Sequence, residues 1–183
     1  MIATKQDNKS EIFPLVDSEG EVIGQATRGE CHSGSMLLHP VVHLHLFNSR
    51  GEIYLQRRPE WKDIQPNMWD TAVGGHVDYG ETVEQALRRE CAEELGLEGD
   101  LELHFIAKYI FESAVERELV NSYYTIYDGE PRPSAELDGG RFWSRAEVEA
   151  AIAEGGILTA NFTGEFRDYL CLLGRWGLLG QGR

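Results

Sequence analysis

Glu90, Glu93 and Glu94 stand at three- and four-residue spacing, which on an α-helix places three carboxylates on one face. Like charges so placed repel by about 0.2–0.5 kcal/mol per pair in an isolated helix. A hard divalent cation turns that repulsion into a coordination shell. Taken alone, an acidic run reads as a solvated face. Here Val83, Leu87, Glu90 and Glu94 form one row, so the carboxylates continue a stripe that begins apolar and are expected to face a cleft. Arg89, on a neighbouring row, is placed to pair with acids such as Glu93, although an exposed pair contributes little stability. Gly74 and Gly75 precede the helix and allow a backbone to approach a metal or phosphate closely. A Gly-Gly pair by itself signals only a turn.

The segment from Gly75 to Leu97 resembles the Nudix box: glycine, five residues, Glu, seven residues, Arg-Glu, an aliphatic, any residue, Glu-Glu, any residue, glycine, aliphatic. Gly75, Glu81, Arg89, Glu90, Glu93, Glu94, Gly96 and Leu97 fill its fixed positions. Cys91 stands at the aliphatic position and behaves as a small apolar residue. The resemblance implies an α/β protein with the Nudix-type α/β/α sandwich, a mixed β-sheet and Mg²⁺- or Mn²⁺-dependent hydrolysis of a nucleoside diphosphate linked to another group. It implies metal ligation by Glu90, Glu93 and Glu94 with the Gly75 backbone, assisted by Glu81 and Arg89. Bound cations would neutralise the diphosphate and activate the attacking water. The box leaves the general base open among Glu90, Glu116 and Glu118.

The flanking sequence is similar to type I isopentenyl-diphosphate isomerase, a relative of the same fold with a different reaction. His32, His39 and His76 with Glu116 and Glu118 match that enzyme's metal-binding positions, and Arg28, Arg58 and Lys62 match positions that hold its diphosphate. That resemblance implies a second metal site. His43 and His45 read as structural or surface residues. The isomerase moves a proton at carbon with a cysteine where this sequence has Gly74, and it lacks acids matching Glu90 and Glu93. The chain is thus expected to be a hydrolase of the isomerase-like branch, with isomerase activity as the alternative. A binding module without catalysis would show a broken box, and this one is intact.

These residues need a scaffold. Ile12 to Val16 and Glu21 to Gln25 read as a hairpin, as do Val41 to Phe47 and Ile53 to Arg57. Ala72-Val73 leads into a loop holding Gly74, Gly75 and Gly80. Thr82 with Gln85 forms a capping box for a helix that Gly96 stops. Leu101 to Phe111 and Leu119 to Tyr127 read as strands around an acidic turn, Glu112 to Glu118. Ser144 with Glu147 caps a second helix, and Glu165 to Trp176 is amphipathic. The expected organisation is a hairpin-bearing extension over 1–36, a catalytic domain over 37–176 and a loose tail over 177–183. Trp61, Trp69, Tyr79 and Phe111 are candidates for base stacking or for the core.

The 183 residues carry 17 Lys and Arg against 31 Asp and Glu, a formal charge of −14. A protein that grips polymeric nucleic acid usually carries a basic stripe, so the expected partner is a small phosphorylated substrate. Cys31, Cys91 and Cys171 form no C-x-x-C pair, and no apolar run reaches the ~18 residues of a membrane span. Cytoplasmic location and no membrane partner are expected. Family members often dimerise, so a homodimer through the N-terminal hairpin is a further expectation.

Overall fold

The computed structural model describes residues 8–62 and 64–173. The N-terminal hairpin is present as β1 (Ile12–Val16) and β2 (Val22–Thr27), followed by a one-turn helix α1 (Arg28–Cys31) that the sequence reading missed. Thr27 caps it through a reciprocal bond with Glu30, which aims Arg28 and His32 back toward the main sheet.

That sheet has seven strands: β3 (Leu38–Phe47), β4 (Ile53–Arg57), β5 (Trp69–Asp70), β6 (Val73–His76), β7 (His104–Glu112), β8 (Arg117–Ile126) and β9 (Gly140–Trp143). The order β5-β4-β3-β8-β7 is extended by β6 against β3 and β9 against β4. The sheet is mixed: β3 runs parallel to β8 and antiparallel to β4 and β6. β3 is buried along its whole length, because neighbours cover both edges and helices cover both faces.

The helices are α2 (Val83–Leu95), α3 (Arg145–Glu154) and α4 (Ala160–Asp168), with a 3₁₀ turn at Leu170–Leu172. On one face, Ala86, Leu87, Cys91 and Leu95 of α2 pack on Val42, Leu44 and Leu46. On the other, Val148 and Ala151 of α3 and Phe162 and Phe166 of α4 pack on Phe47, Ile53 and Leu55. The alternation of β3 side chains splits these two cores, and the result is the expected α/β/α sandwich. Val16, Leu38 and Leu119 join the hairpin to the sheet.

Both expected capping boxes are formed, at Thr82 with Gln85 and at Ser144 with Glu147. Gly96 ends α2 in the left-handed conformation with φ 62°. Three expectations are corrected. Gly74 and Gly75 lie in strand β6 and not in a loop, because their backbones pair with His43 and Val42 of β3. Glu118 belongs to β8, so the acidic turn is confined to Ser113–Glu116. The segment from Glu165 is the end of α4 and a 3₁₀ turn, while Trp176 and the tail lie outside the described residues. Among the described residues, no helix is long and apolar enough to cross a membrane.

Candidate active site

A cavity of about 360 Å³ opens where β6, the C-terminal half of α2, the α1 turn and the start of β8 meet. Its lining includes Glu90, Glu93, Glu94, Glu116, Glu118, Arg28, Arg58, Lys62, His32, His76, Gly75 and Arg89. Two residues assigned from the sequence stand behind this wall: Glu81, which reaches the site through Arg89, and His39, which is fully buried. Among the described residues, nine carboxylates line the cavity (Glu11, Asp70, Asp78, Glu90, Glu93, Glu94, Glu116, Glu118 and Glu136) against four Lys and Arg. An anionic substrate would enter such a space only together with cations.

Glu90 and Glu94 turn into the cavity, while the Glu93 side chain, at its margin, is 60% exposed. Leu87 is fully buried, and the row continues with Glu90 and Glu94 at 14% and 8% exposure. Burial pushes the Glu90 carboxyl up to about 7, with Arg89 opposing. Burial and then the neighbouring Glu90 push Glu94 up to about 8, against a bond at 3.2 Å from the Gly74 N–H. Removing two carboxylates from water side by side disfavours their charged forms, and a divalent cation held by them would supply the missing counter-charge. The donor set, hard oxygens on one face, suits Mg²⁺ or Mn²⁺.

Arg89 holds the arrangement. Its Nε and Nη2 donate to the two Glu81 oxygens at 2.8 and 2.9 Å, and Nη1 donates to Glu90 at 2.8 Å and Glu93 at 3.2 Å. Nη2 also donates to the His76 carbonyl at 3.0 Å, tying α2 to β6. These bonds hold Glu81 below its ordinary range and push Arg89 upward. The pair expected with Glu93 is therefore part of a forked clasp, which fixes geometry better than a lone surface bridge.

A second cluster lies across the cavity. His32, His39 and His76 bring ligand nitrogens within 4.8 Å of one another, and His32 Nε2 is 3.1 Å from His76 Nε2 and 3.6 Å from Glu116 Oε2. His39 Nδ1 donates to the Leu37 carbonyl at 3.0 Å, which leaves Nε2 as an acceptor, buried and without a hydrogen-bond partner. Burial, and next the charge of Arg28, hold His76 well below its ordinary value; burial lowers His39 too. Three imidazole nitrogens this close together, two of them on rings whose charged forms burial disfavours, suit a metal ion. Glu118, the parallel-ladder partner of His39, is also raised by burial and by Glu116.

Arg58 donates to the Ile64 carbonyl at 2.9 Å and to Asp70 at 3.2 Å, which holds its guanidinium at the cavity wall. Arg28 pairs with Glu11 at 3.2 Å, and the Lys62 ammonium lies over the Trp61 ring at 4.8 Å. Of the aromatic candidates, Trp61 and Phe111 line the cavity. Trp69 packs edge-on against Trp143, and Tyr79 is 54% exposed. The sequence reading missed a buried group beneath the floor: His43 and His45 meet Glu165 at 3.0 and 3.1 Å. Their alternation on β3 was visible, but the acid comes from α4, 122 residues after His43.

Comparison with known proteins agrees with this geometry. An uncharacterized Nudix hydrolase of Nostoc sp. is 43% identical over 88 residues, which are 48% of this chain and 52% of that protein. The chain thus spans about half the length of that relative. An isopentenyl-diphosphate Delta-isomerase of Serratia proteamaculans is 27% identical over 179 residues, covering 92% of this chain and 97% of that protein. The crystal structure of DR0079 from Deinococcus radiodurans superposes with a TM-score of 0.74 at 31% identity, over 86% of this chain and 98% of that one. The NUDIX domain family model matches residues 37–162, a span that contains the carboxylate helix, the glycine strand and the Arg89 clasp, and the chain belongs to the Nudix family.

Proposed function

We propose that the chain hydrolyses a phosphoanhydride bond in a nucleotide or a nucleoside-diphosphate-linked substrate, with Mg²⁺ or Mn²⁺ held by Glu90, Glu93, Glu94 and the Gly75 backbone. The observation that carries this reading is the pair of buried carboxylates, Glu90 and Glu94, raised to about 7 and 8 at the wall of an acid-rich cavity. When bound, the cation supplies charge neutralisation for the diphosphate and acidifies water. Arg89 keeps Glu81, Glu90 and Glu93 in place. Arg28, Arg58 and Lys62, which line the same cavity, bind the diphosphate oxygens. Glu90, Glu116 and Glu118 are the candidates for taking the proton from the attacking water.

His32, His39 and His76, with Glu116 and Glu118, form the proposed second metal site. That cluster is what favours the alternative, isopentenyl-diphosphate isomerisation, and a relative bearing that name is 27% identical over 179 residues. Gly74 disfavours it: a residue without a side chain cannot donate or accept a proton at carbon. The substrate is a small molecule, not polymeric nucleic acid or a membrane, and the proposed setting is a homodimer in the cytoplasm.

The test is a screen of nucleotides and diphosphate compounds, among them CDP, dNTPs and nucleotide sugars, with Mg²⁺ or Mn²⁺. It runs beside a Glu93→Gln and Glu94→Gln variant. Loss of about 10²-fold or more in rate is expected, since removing the ligands removes the electrostatic stabilisation of the transition state. Unchanged turnover in the variant would place the reaction elsewhere. Exchange of the allylic protons of isopentenyl diphosphate would favour the isomerase.

A further inference from the structure

Behind Gly74 the cavity floor carries a histidine that the roles above leave unused. His43 sits on β3 in register with Gly74 of β6 and Ser122 of β8, and its side chain is 9% exposed to the cavity it lines. Its Nδ1 lies 3.0 Å from Oε2 of Glu165, an α4 residue only 1% exposed. His45 Nε2 approaches the same oxygen at 3.1 Å. The other nitrogen of His45 meets the Thr71 hydroxyl at 3.2 Å, and that hydroxyl donates to the Leu44 carbonyl at 2.8 Å. The carboxylate therefore lies between two strand-borne imidazoles and fixes the orientation of His43 through its hydrogen bond, while Thr71 holds His45. With Nδ1–H donated to Glu165, the His43 ring turns its Cδ2–Nε2 edge toward Gly74.

Position 74 decides whether that edge is reachable. A Cβ on Gly74 would rest 3.7 Å from His43 Cδ2 and 3.9 Å from Nε2. Those are ordinary contact distances, so any side chain there would lie over the ring and cover it. Glycine leaves it open to the cavity. The remaining charged groups near His43 are Asp70 of β5 and Glu118 of β8. Asp70 is already engaged by Arg58 at 3.2 Å and by the Thr159 hydroxyl at 2.7 Å, and Glu118 faces the Asn161 amide at 3.5 Å. Burial works against a charge on His43, but Glu165 raises it to about 9. The floor thus presents a cationic N–H donor, with a planar ring of fixed direction, in a space where carboxylates outnumber Lys and Arg.

We propose that His43 contacts the substrate directly, its Nε2–H hydrogen-bonding a non-bridging phosphoryl oxygen of the diphosphate on the Gly74 side of the cavity. Glu165 is its positioning residue, and Gly74 is the opening through which the contact is made. This rests on the hydrolase reading and assigns that reading a phosphoryl subsite on the sheet floor, separate from Arg28, Arg58 and Lys62.

The probe is α,β-methylene-ADP, a diphosphate that cannot be cleaved at its bridge, titrated calorimetrically into the full chain with Mg²⁺. His43→Asn keeps a donor where Nδ1 stands and removes Nε2. It is expected to weaken analogue binding about tenfold or more, the scale of one charge-assisted hydrogen bond, and to raise KM more than it lowers kcat. Gly74→Ala, which fits by the distances above, is expected to weaken binding in the same direction by covering the ring. Glu165→Gln keeps an acceptor for Nδ1 but no charge, and is expected to raise KM with little change in kcat. A fall in melting temperature at unchanged KM would leave Glu165 a structural group only and overturn its positioning role. Wild-type binding matched by folded His43→Asn overturns the proposal and leaves the hydrolase reading intact; should that variant not fold, unchanged affinity in Gly74→Ala does the same. If the wild type neither binds the analogue nor cleaves any diphosphate with Mg²⁺ or Mn²⁺, the hydrolase reading falls and this subsite with it.

Discussion

Glu90 fills the space beside Gly75 that a side chain at position 75 would need: a Cβ there would overlap the Glu90 carboxyl group. The glycine is required for what it lacks, since helix α2 can seat an acid against strand β6 only where the strand has no side chain.

Gly75→Ala is expected to displace the Glu90 carboxylate and lower the hydrolytic rate by about tenfold or more, as misplaced charge stabilisation does. The protein is expected to stay folded, because the acid can swing into the cavity. Turnover beside a Mn²⁺ titration checks this, and a folded variant with full rate would show that the close seating of Glu90 is dispensable.

Arg89→Lys is the sharper probe of the clasp. A lysine keeps the charge but cannot bond both Glu81 oxygens, Glu90 and the His76 carbonyl together. A loss of about 1–2 kcal/mol in stability is expected from the forfeited charge-assisted bonds, along with reduced activity. Denaturant unfolding and steady-state rates measure the two separately. If both match the wild type, a single point charge suffices.

The metal-free protein is expected to lose stability as pH rises above about 6.5, the ordinary histidine value. Glu90 and Glu94, raised from 4.5 to about 7 and 8, bind more protons folded than unfolded, so their contribution falls from pH 4.5 upward and is lost as pH passes about 7 and 8. His43, raised to about 9, acts in the same sense, being fully stabilising below its ordinary value and losing that effect as pH passes 9. His39 and His76 are lowered and act oppositely, but only at pH below their ordinary value. Melting temperatures in EDTA from about pH 6.5 to 8.5 test the slope. Added Mg²⁺ or Mn²⁺ is expected to reverse it, because a cation takes the place of the protons on Glu90 and Glu94. A melting temperature that climbs with pH in EDTA would contradict this assignment.

Thr82→Ala separates support from chemistry. The Thr82 hydroxyl accepts from Gln85 N–H at 3.2 Å, and the Gln85 side chain returns a bond to the Thr82 N–H at 2.9 Å. Losing this cap is expected to cost about 1 kcal/mol while leaving the metal requirement of the reaction unchanged. Thermal unfolding and the Mg²⁺ dependence of turnover report the two effects. A changed metal dependence would mean that the cap also sets carboxylate position.

The carboxylate helix was legible because every signal in it is local: the three- and four-residue spacing, the Thr82 cap and the Gly96 stop all act within one or two turns. The β1–β2 and β3–β4 hairpins were legible for the same reason. What escaped was structure imposed from a distance. Gly74 and Gly75 have turn propensity, yet lie extended because β3 offers them ladder bonds. β5 and β9, of two and four residues, are too short to show alternation and exist because β4 pairs with both. Glu165 gave no sign of its role, since its partners are on β3 and nothing near it in sequence announces them.

The parallel pairing of β3 with β8 bears on how the molecule is made. Asn121 of β8 bonds the Val41 carbonyl across 80 residues, and His43 meets Glu165 across 122. Contacts of such long range pay their loop-closure entropy before they return any stability. A nascent chain that has already formed α2 therefore lacks both the wall carrying Glu116 and Glu118 and the acid that orients His43. Competence to hydrolyse is expected to arrive only once α4 has been made and has docked on β3.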